Sequence, residues 1–501
     1  MKNIAIVGGG ACGSAAFIEL VIQICSRNLQ EDLSITLIER RDKFGHGMAF
    51  GTKEDSHLLN TQAELMGIYV KEPNDFSDWI KSRGGKDHPK IIGQSNTGSA
   101  YTSRNLYGEY VREQLEEYIR KAEEGNVSVE LINDEATNIE SKKSGELEIN
   151  LKSSNKITAD YILLAPGTPK PNKYKELKAF KGYIDFPWPS HRIISEIDKD
   201  EEVGVLGTSL SAIDTVLTLI NNGHCGKITL FSPLGMLPRV QPPQNKEIER
   251  KHLTLENIHR LQRSKMRPPR VKELFRLFIK DVEDAEGEKL NWRSKDRSAG
   301  NVEEFLKYDI ESAKRGGDSI LNVTYSLRYD ASVIWGGMSL KQKKLFKKWL
   351  GSHWTSTRHA MPLHNAEILL DLLQEGQLRV IPEIKIVDYS EEKQMFRIIT
   401  ENKEEFYMHK LVNATGTASK LKGMNNKLIA NLVKKEYLKP YPAGGAVINP
   451  RTMQLVSKQG GNRMYAVGHI LNGMLLDVDA MWFDVRTIGR CVEEIIFKAK
   501  S

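Results

Sequence analysis

The chain has 501 residues, more than one ordinary hydrophobic core organises, so two or three structural units are expected, interleaved along the chain rather than arranged in series. With 40% of residues apolar and 27% charged, it is neither fibrous nor wholly disordered. Lys and Arg number 72 against 65 Asp and Glu, and the resulting charge of +7 favours anionic partners, among which dinucleotides and small acids fit as well as nucleic acid.

Residues 2–7 read as a short apolar strand that enters a turn holding Gly8, Gly10 and Gly13. A helix follows to about Ser26, and residues 33–38 make the next strand, which ends at Glu39. In this order Gly8 gives the tight turn, Gly10 lets the backbone approach a pyrophosphate, and Gly13 permits close helix–sheet packing. The helix presents its positive end to the phosphates. Glu39 stands where a carboxylate accepts hydrogen bonds from the adenosine ribose hydroxyls. The blander alternative is a structural glycine turn with a surface glutamate. Together with the long continuation of the chain and its later motifs, the turn points to the ADP half of FAD.

Further strands are expected near 128–131, 146–151 and 161–164, the last feeding the turn APGTP at 165–169. A small antiparallel segment thus interrupts the first nucleotide-binding unit. A second strand–turn–helix begins at Val203, where Gly207, Ser209 and Ala212 form a modified GxGxxA turn. Ser209 lacks the conformational freedom of the missing second glycine, so a second nucleotide-binding fold is expected while productive binding of a nicotinamide nucleotide stays open. Residues 241–350 contain helical stretches at 251–282, 301–314 and 340–350 and read as a helical insertion or substrate cap, with a solvated helical subdomain as the alternative. Within it KQKKLFKK at 341–348 suits the solvated face of a surface helix better than a nucleic-acid contact. Strands resume at 381–386, 395–399 and 410–413, the last entering an Ala414-Thr415-Gly416 turn, and 464–467 precedes Gly468. The fold class is therefore α/β, an interleaved double dinucleotide-binding architecture with a charged helical insertion. Its expected map is 1–200 for the first part of an FAD-binding unit, 201–240 with part of 351–400 for the second nucleotide-binding unit, 241–350 for the insertion or cap, and 401–501 for the returning part of the FAD unit.

Cys12, Cys25, Cys225 and Cys491 are scattered without a CxxC pair, against a zinc ribbon or a flavin-disulfide reductase with a sequence-close redox pair. The histidines form no HExxH or Cys-His pattern, and Pro362 separates His359 from His364, so no metal site is expected. No GxSxG elbow is present. The opening MKNIAIVGGGACG lacks the order of an export signal and no apolar run is long enough for a membrane helix, so a soluble cytoplasmic protein is expected.

The chain resembles the bacterial FAD-NAD(P)-binding oxidoreductase-like family. The resemblance is carried by GGGACG at 8–13, FGHGMAF at 44–50, HLLN at 57–60, APGTPKP from Ala165, GTSLSAID at 207–214, LPR at 237–239, NATG at 413–416 and AVGHILNG at 466–473. At the level of two nucleotide-binding units it is similar to flavin-dependent N-hydroxylases and class-B-like monooxygenases. The resemblance implies that Gly8, Gly10, Gly13 and Glu39 hold the FAD adenosine diphosphate and that Gly468 and Gly473 form the late flavin-binding turn. It places Asn60 and Met66 toward the isoalloxazine ring, Arg104 and Tyr107 along the cleft, and Gly207 with Ser209 at the second dinucleotide. A loop-capping Asn60, a core Met66 and an Arg104 paired with a surface carboxylate are the alternatives. Where relatives carry basic residues before LPR, this chain has SPLGMLPR at 232–239, so no NADPH preference follows, and Arg239 reads either as a nucleotide contact or as an ion-paired residue.

The expected function is an FAD-dependent oxidoreductase reduced by NADH or NADPH, which passes electrons to a small-molecule substrate, another acceptor or oxygen; a monooxygenase is one subclass. No catalytic side chain is named. The degraded second glycine pattern motivates a different class, a non-catalytic flavin-binding redox sensor or protein-interaction scaffold. No nucleic-acid or membrane partner is indicated, and oligomeric state is left open.

Overall fold

The computed structural model describes residues 1–41, 43–84, 101–292, 295–298, 300–457, 459 and 463–500. They divide into two compact units, one made of Met1–Asp55, Thr61–Asn172 and Thr417–Ser501, the other of Ser56–Asn60 and Lys173–Gly416.

The first unit is centred on a parallel sheet ordered Met464–Ala466, Tyr161–Leu164, Lys2–Val7, Leu33–Glu39 and Val129–Asn133. A parallel sheet is covered on both faces, which is why its strands are apolar runs rather than alternating ones. Ile4 to Ile6 and Ile162 to Leu164 are buried to 1% exposure or less. The helix Ala11–Ser26 follows the first strand and is buried along most of its length between the helices Arg104–Glu124 and Met481–Lys500. The expected antiparallel interruption is a three-stranded sheet of Ala136–Ser141, Leu147–Leu151 and Lys156–Ala159. Leu147, Ile149 and Leu151 turn one face inward with period two, and the helix Lys427–Lys434 packs against the first of these strands.

The second unit repeats the plan with a parallel sheet ordered Leu378–Ile381, Ile228–Phe231, Val203–Leu206, Lys410–Asn413 and Tyr183–Ile184. The helix Leu210–Asn221 follows Val203–Leu206. The single strand expected at 381–386 is two: Leu378–Ile381 stays in the parallel sheet, and Ile384–Ser390 starts a separate antiparallel sheet with Met395–Thr400 and Glu405–Met408. Pro382, which has no N–H to donate, and Glu383, at φ +58°, turn the chain between them.

The helical insertion leaves and returns through neighbouring backbone, because Val240–Gln241 pairs in parallel with Met361–Pro362. The stretch expected as one helix at 251–282 is two, Leu255–Lys265 and Val271–Glu286, broken by Met266 at φ +49° and by Pro268 and Pro269. Ser319–Ser326, Ala331–Gly337 and Gly351–Arg358 are helices that periodicity alone did not reveal. The basic segment lies in the helix Leu340–Trp349, and its face is not uniformly solvated. Lys343 is 4% exposed, with its ammonium 5.3 Å from the centre of the Trp335 ring.

Candidate functional site

In the first unit the glycine turn sits where the central strand meets its helix. Gly8 adopts φ +112°, a conformation that L side chains resist, and its N–H donates to the carbonyl of Ile38 at 2.8 Å. A side chain at Gly8 would run into the Ala165 carbonyl at 2.1 Å, and one at Gly13 into the Gly8 carbonyl at 1.8 Å. These contacts leave strand, turn and helix no room to separate. Gly10 caps the helix, and a methyl group there would stand 3.3 Å from Cα of Gly47, so the FGHG segment closes over the turn from the far side. This chain's own backbone thus limits what side chain position 10 can carry.

Glu39 is buried at 6% exposure, and its carboxylate accepts the N–H of Gly9 at 2.8 Å and that of Arg41 at 3.1 Å. Its remaining lone pairs face an open cavity with about 630 Å³ of empty volume, lined by Gly8, Gly10, Glu39, Arg41, Gly47 and the turn from Ala165 to Thr168. Burial draws the Arg41 pKa down, opposed by the Glu39 charge and reinforced by Arg40. A glycine turn at a helix N-terminus, a buried carboxylate and a half-buried guanidinium around one cavity fit the adenosine diphosphate of FAD.

The late turn joins the same place. Gly468, at φ +75°, lies so close to the first helix that a methyl group on it would be 3.4 Å from Sγ of Cys12. The Cys12 thiol donates to Oδ2 of Asp484 at 3.5 Å. Asp484 is 3% exposed, and burial, aided by Asp479, pushes its carboxyl well above the usual range. Burial and Asp484 likewise push the Cys12 thiol up. Burial therefore disfavours the charged form of both groups. The neighbour of Gly468, His469, is buried between Oδ1 of Asp479 at 2.7 Å, Oγ1 of Thr417 at 3.0 Å and the carbonyl of Ala418 at 3.3 Å. Burial alone lowers its pKa, but the Asp479 charge and these hydrogen bonds outweigh it and the net shift is upward. Gly473, at φ +107°, packs against Ala443, whose carbonyl would be 2.3 Å from a side chain there.

The structure brings Gly8, Gly10, Gly13, Glu39 and Gly468 together around one turn. Arg104 is the first residue of the helix Arg104–Glu124, and Met66 is 3% exposed and packs in the core of the first unit. The FGHGMAF and RNLYG segments lie against each other: a side chain at Gly108 would meet the Phe50 carbonyl at 2.2 Å, and the Phe50 and Tyr107 rings are 4.6 Å apart. Asn60 belongs instead to the short stretch Ser56–Asn60 that is part of the second unit. That stretch is anchored by His57, which is fully buried with Nε2 2.9 Å from Oγ1 of Thr218 and 3.2 Å from the carbonyl of Asp214. Gly47, Arg41, Asp484 and His469 went unread as site residues. Their signals were weak, since Gly47 and His469 sit inside quoted motifs but their partners lie in irregular or distant chain.

In the second unit Gly207 takes φ +122°, its N–H donates to the Phe231 carbonyl at 2.7 Å, and a side chain on it would meet the Ala414 carbonyl at 2.6 Å. Ser209 caps the helix Leu210–Asn221 through its backbone and makes no capping side-chain hydrogen bond. Arg239 is buried, 2.5 Å from Asp318 and 3.8 Å from Asp309, with Arg297 2.6 Å from Asp309 on the other side. Of the two readings of Arg239, the ion-paired residue is the one the geometry supports. Among the described residues no cluster of three His, Cys, Asp or Glu is arranged to hold a metal ion, and no helix is long and apolar enough to cross a membrane.

Two parallel sheets, each with a glycine turn at the end of its central strand, make an α/β fold with two Rossmann-like regions. Residues 5–169 match the family model described as FAD-NAD(P)-binding. The chain is 24% identical over 311 residues to the uncharacterized protein YdhS of Escherichia coli strain K12, covering 57% of this chain and 55%, about half, of that relative. Among solved structures, L-lysine 6-monooxygenase from Pseudomonas syringae is 13% identical, with 100% of both chains covered and a TM-score of 0.60. The ornithine N-hydroxylase of Kutzneria sp. 744 is 13% identical, with 100% of both chains covered and a TM-score of 0.59. At such identities the likeness is one of fold.

Proposed function

We propose that the protein is an FAD-dependent oxidoreductase, reduced by NADH or NADPH, of the monooxygenase type and acting on a small molecule. The observation that carries this reading is the duplication itself: two parallel sheets each end a buried central strand in a glycine turn with φ above +100°, at Gly8 and at Gly207. Bound FAD supplies the electron chemistry, accepting two electrons from the nicotinamide and passing them to the acceptor. The chain's own residues bind and orient. Gly8, Gly10 and Gly13 let the backbone of the turn and its helix approach the pyrophosphate, Glu39 accepts from the adenosine ribose, and Gly468 and Gly473 shape the late turn. Arg104 is proposed to contribute to the flavin site of the first unit, and Gly207 and Ser209 to hold the nicotinamide nucleotide. The two solved structures named above are a lysine 6-monooxygenase and an ornithine N-hydroxylase, which supports a small-molecule substrate of that general size.

Purified protein should carry FAD or take it up on titration, and its flavin absorbance should bleach with NADH or NADPH under anaerobic conditions and recover when oxygen is admitted. A correctly folded chain with no measurable FAD affinity would end this reading. Flavin that binds but is reduced by neither nucleotide would leave the sensor or scaffold class in its place.

A further inference from the structure

The two glycine turns correspond residue by residue. The hydrogen bond from Gly8 to Ile38 is matched by that from Gly207 to Phe231, and the Gly8 contact with Ala165 by the Gly207 contact with Ala414. The residue after Ile38 is Glu39 and the residue after Phe231 is Ser232, so Ser232 occupies in the second unit the position of the ribose-facing acid in the first. The side-chain contacts agree. Glu39 is held by Gly9, the residue after Gly8, and Ser232 by Thr208, the residue after Gly207, whose hydroxyl donates to Ser232 Oγ at 3.2 Å.

The chemistry at that position decides which nicotinamide nucleotide is tolerated. An ionised carboxylate only accepts, so it favours a 2′-hydroxyl and repels a 2′-phosphate. Ser232 Oγ already accepts from Thr208 and from the Gly235 N–H at 2.8 Å, which leaves its own proton to donate. A donated proton suits a ribose oxygen and a phosphate oxygen alike. The segment from Pro233 to Pro238 contains no basic residue, and Arg239 is committed to Asp318 and Asp309. On the adjoining strand Arg379 donates to Thr229 Oγ1 at 2.9 Å and pairs with Glu202.

We propose that Ser232 makes the second unit a nicotinamide-nucleotide site of dual specificity, one that neither repels nor grips the 2′-phosphate and takes NADH and NADPH with dissociation constants within about tenfold of each other. The inference rests on the reading of this unit as the nicotinamide site, and binding measurements separate the two. Titration calorimetry with NAD⁺ and NADP⁺ on FAD-loaded protein gives the ratio of dissociation constants without turnover. Ser232→Glu should weaken NADP⁺ relative to NAD⁺ by about tenfold or more, Ser232→Ala should move the ratio by less than about threefold, and Pro233→Arg, at an exposed position, should tilt it toward NADP⁺. Circular dichroism and FAD content show which variants are folded, and Pro233→Arg carries the test should Ser232→Glu fail to fold. A wild-type preference beyond about tenfold in either direction, or folded Ser232→Glu and Pro233→Arg variants with the wild-type ratio, overturns the proposal. Binding of neither nucleotide to folded, FAD-loaded protein overturns the nicotinamide reading itself, and this inference with it.

Discussion

The first and second nucleotide-binding turns have the same backbone and different tolerances. In the first, glycine occupies four positions, and the helix packs so tightly that a methyl group at Gly13 would overlap the Gly8 carbonyl. In the second, Thr208, Ser209 and Ala212 replace three of those glycines, and Ala212 is accommodated with no exposure at all. The helix of the second unit thus stands far enough from its strand to admit a methyl group. Closeness of backbone to ligand is what the glycines provide, so the first unit is built for the more intimate contact and the second for a looser one. That division suits a resident cofactor in one unit and an exchanging nucleotide in the other.

The sharpest way to break the comparison is to exchange the small residues. Gly13→Ala should cost about 5 kcal/mol or prevent folding, because the overlap is with backbone that cannot move aside. Ala212→Gly should cost only about 1 kcal/mol, the ordinary penalty of glycine in a helix. Urea denaturation of both variants checks this, and similar losses in the two would show that the turns are packed alike. A second large effect belongs to the second unit alone. Arg239→Ala removes the partner of Asp318 and leaves Asp309 to Arg297 alone, and should cost about 2–3 kcal/mol. Were Arg239 a nucleotide contact instead, the loss would appear in nicotinamide affinity with little change in stability.

A smaller effect tests the division of labour. Gly10→Leu should push against Gly47 and the pyrophosphate together, raising the FAD dissociation constant by about tenfold or more, whereas Ser209→Leu should leave FAD retention unchanged and weaken nicotinamide binding. Flavin fluorescence on release and calorimetry with NADP⁺ separate the two. Wild-type FAD affinity in a folded Gly10→Leu protein would remove the proposed contact.

Much of this architecture is legible in the chain because parallel strands and glycine turns leave local marks. Residues 2–7, 161–164 and 203–206 are short apolar runs that end in Gly or Ala-Pro-Gly, and the structure places a strand at each. The helices of the insertion are less legible. Ser319–Ser326 and Ala331–Gly337 are short, and their burial depends on neighbours that periodicity cannot name. The strand break at Pro382 and Glu383 was missed because two apolar runs on either side of a proline look like one. At the site, the glycines and Glu39 announced themselves by spacing. Gly47 over Gly10, Asp484 beside Cys12 and Asp479 beside His469 depend on contacts between segments whose separation carries no period.

The last distinction between the units is the sign of their response to pH. His469 in the first unit has its folded-state pKa raised, its imidazolium held by Asp479 against the cost of burial. Such a group contributes stability that is fully present below the unfolded-chain value of about 6.5 and is lost as pH climbs through the higher folded value. His224 in the second unit has its pKa lowered, by burial first, with Asp198, Glu201 and Asp200 opposing. Its contribution is present above about 6.5 and is lost as pH falls through the lower folded value. His469→Gln should therefore be less stable than wild type by about 1 kcal/mol in mild acid, with the gap closing toward alkaline pH. The gap between wild type and His224→Gln should run the other way, widening as pH rises from acid to neutral. Thermal melts of the three proteins across that range decide the matter, and a His469→Gln deficit that is constant with pH would mean the histidine is held by its shape and neutral hydrogen bonds rather than by its charge.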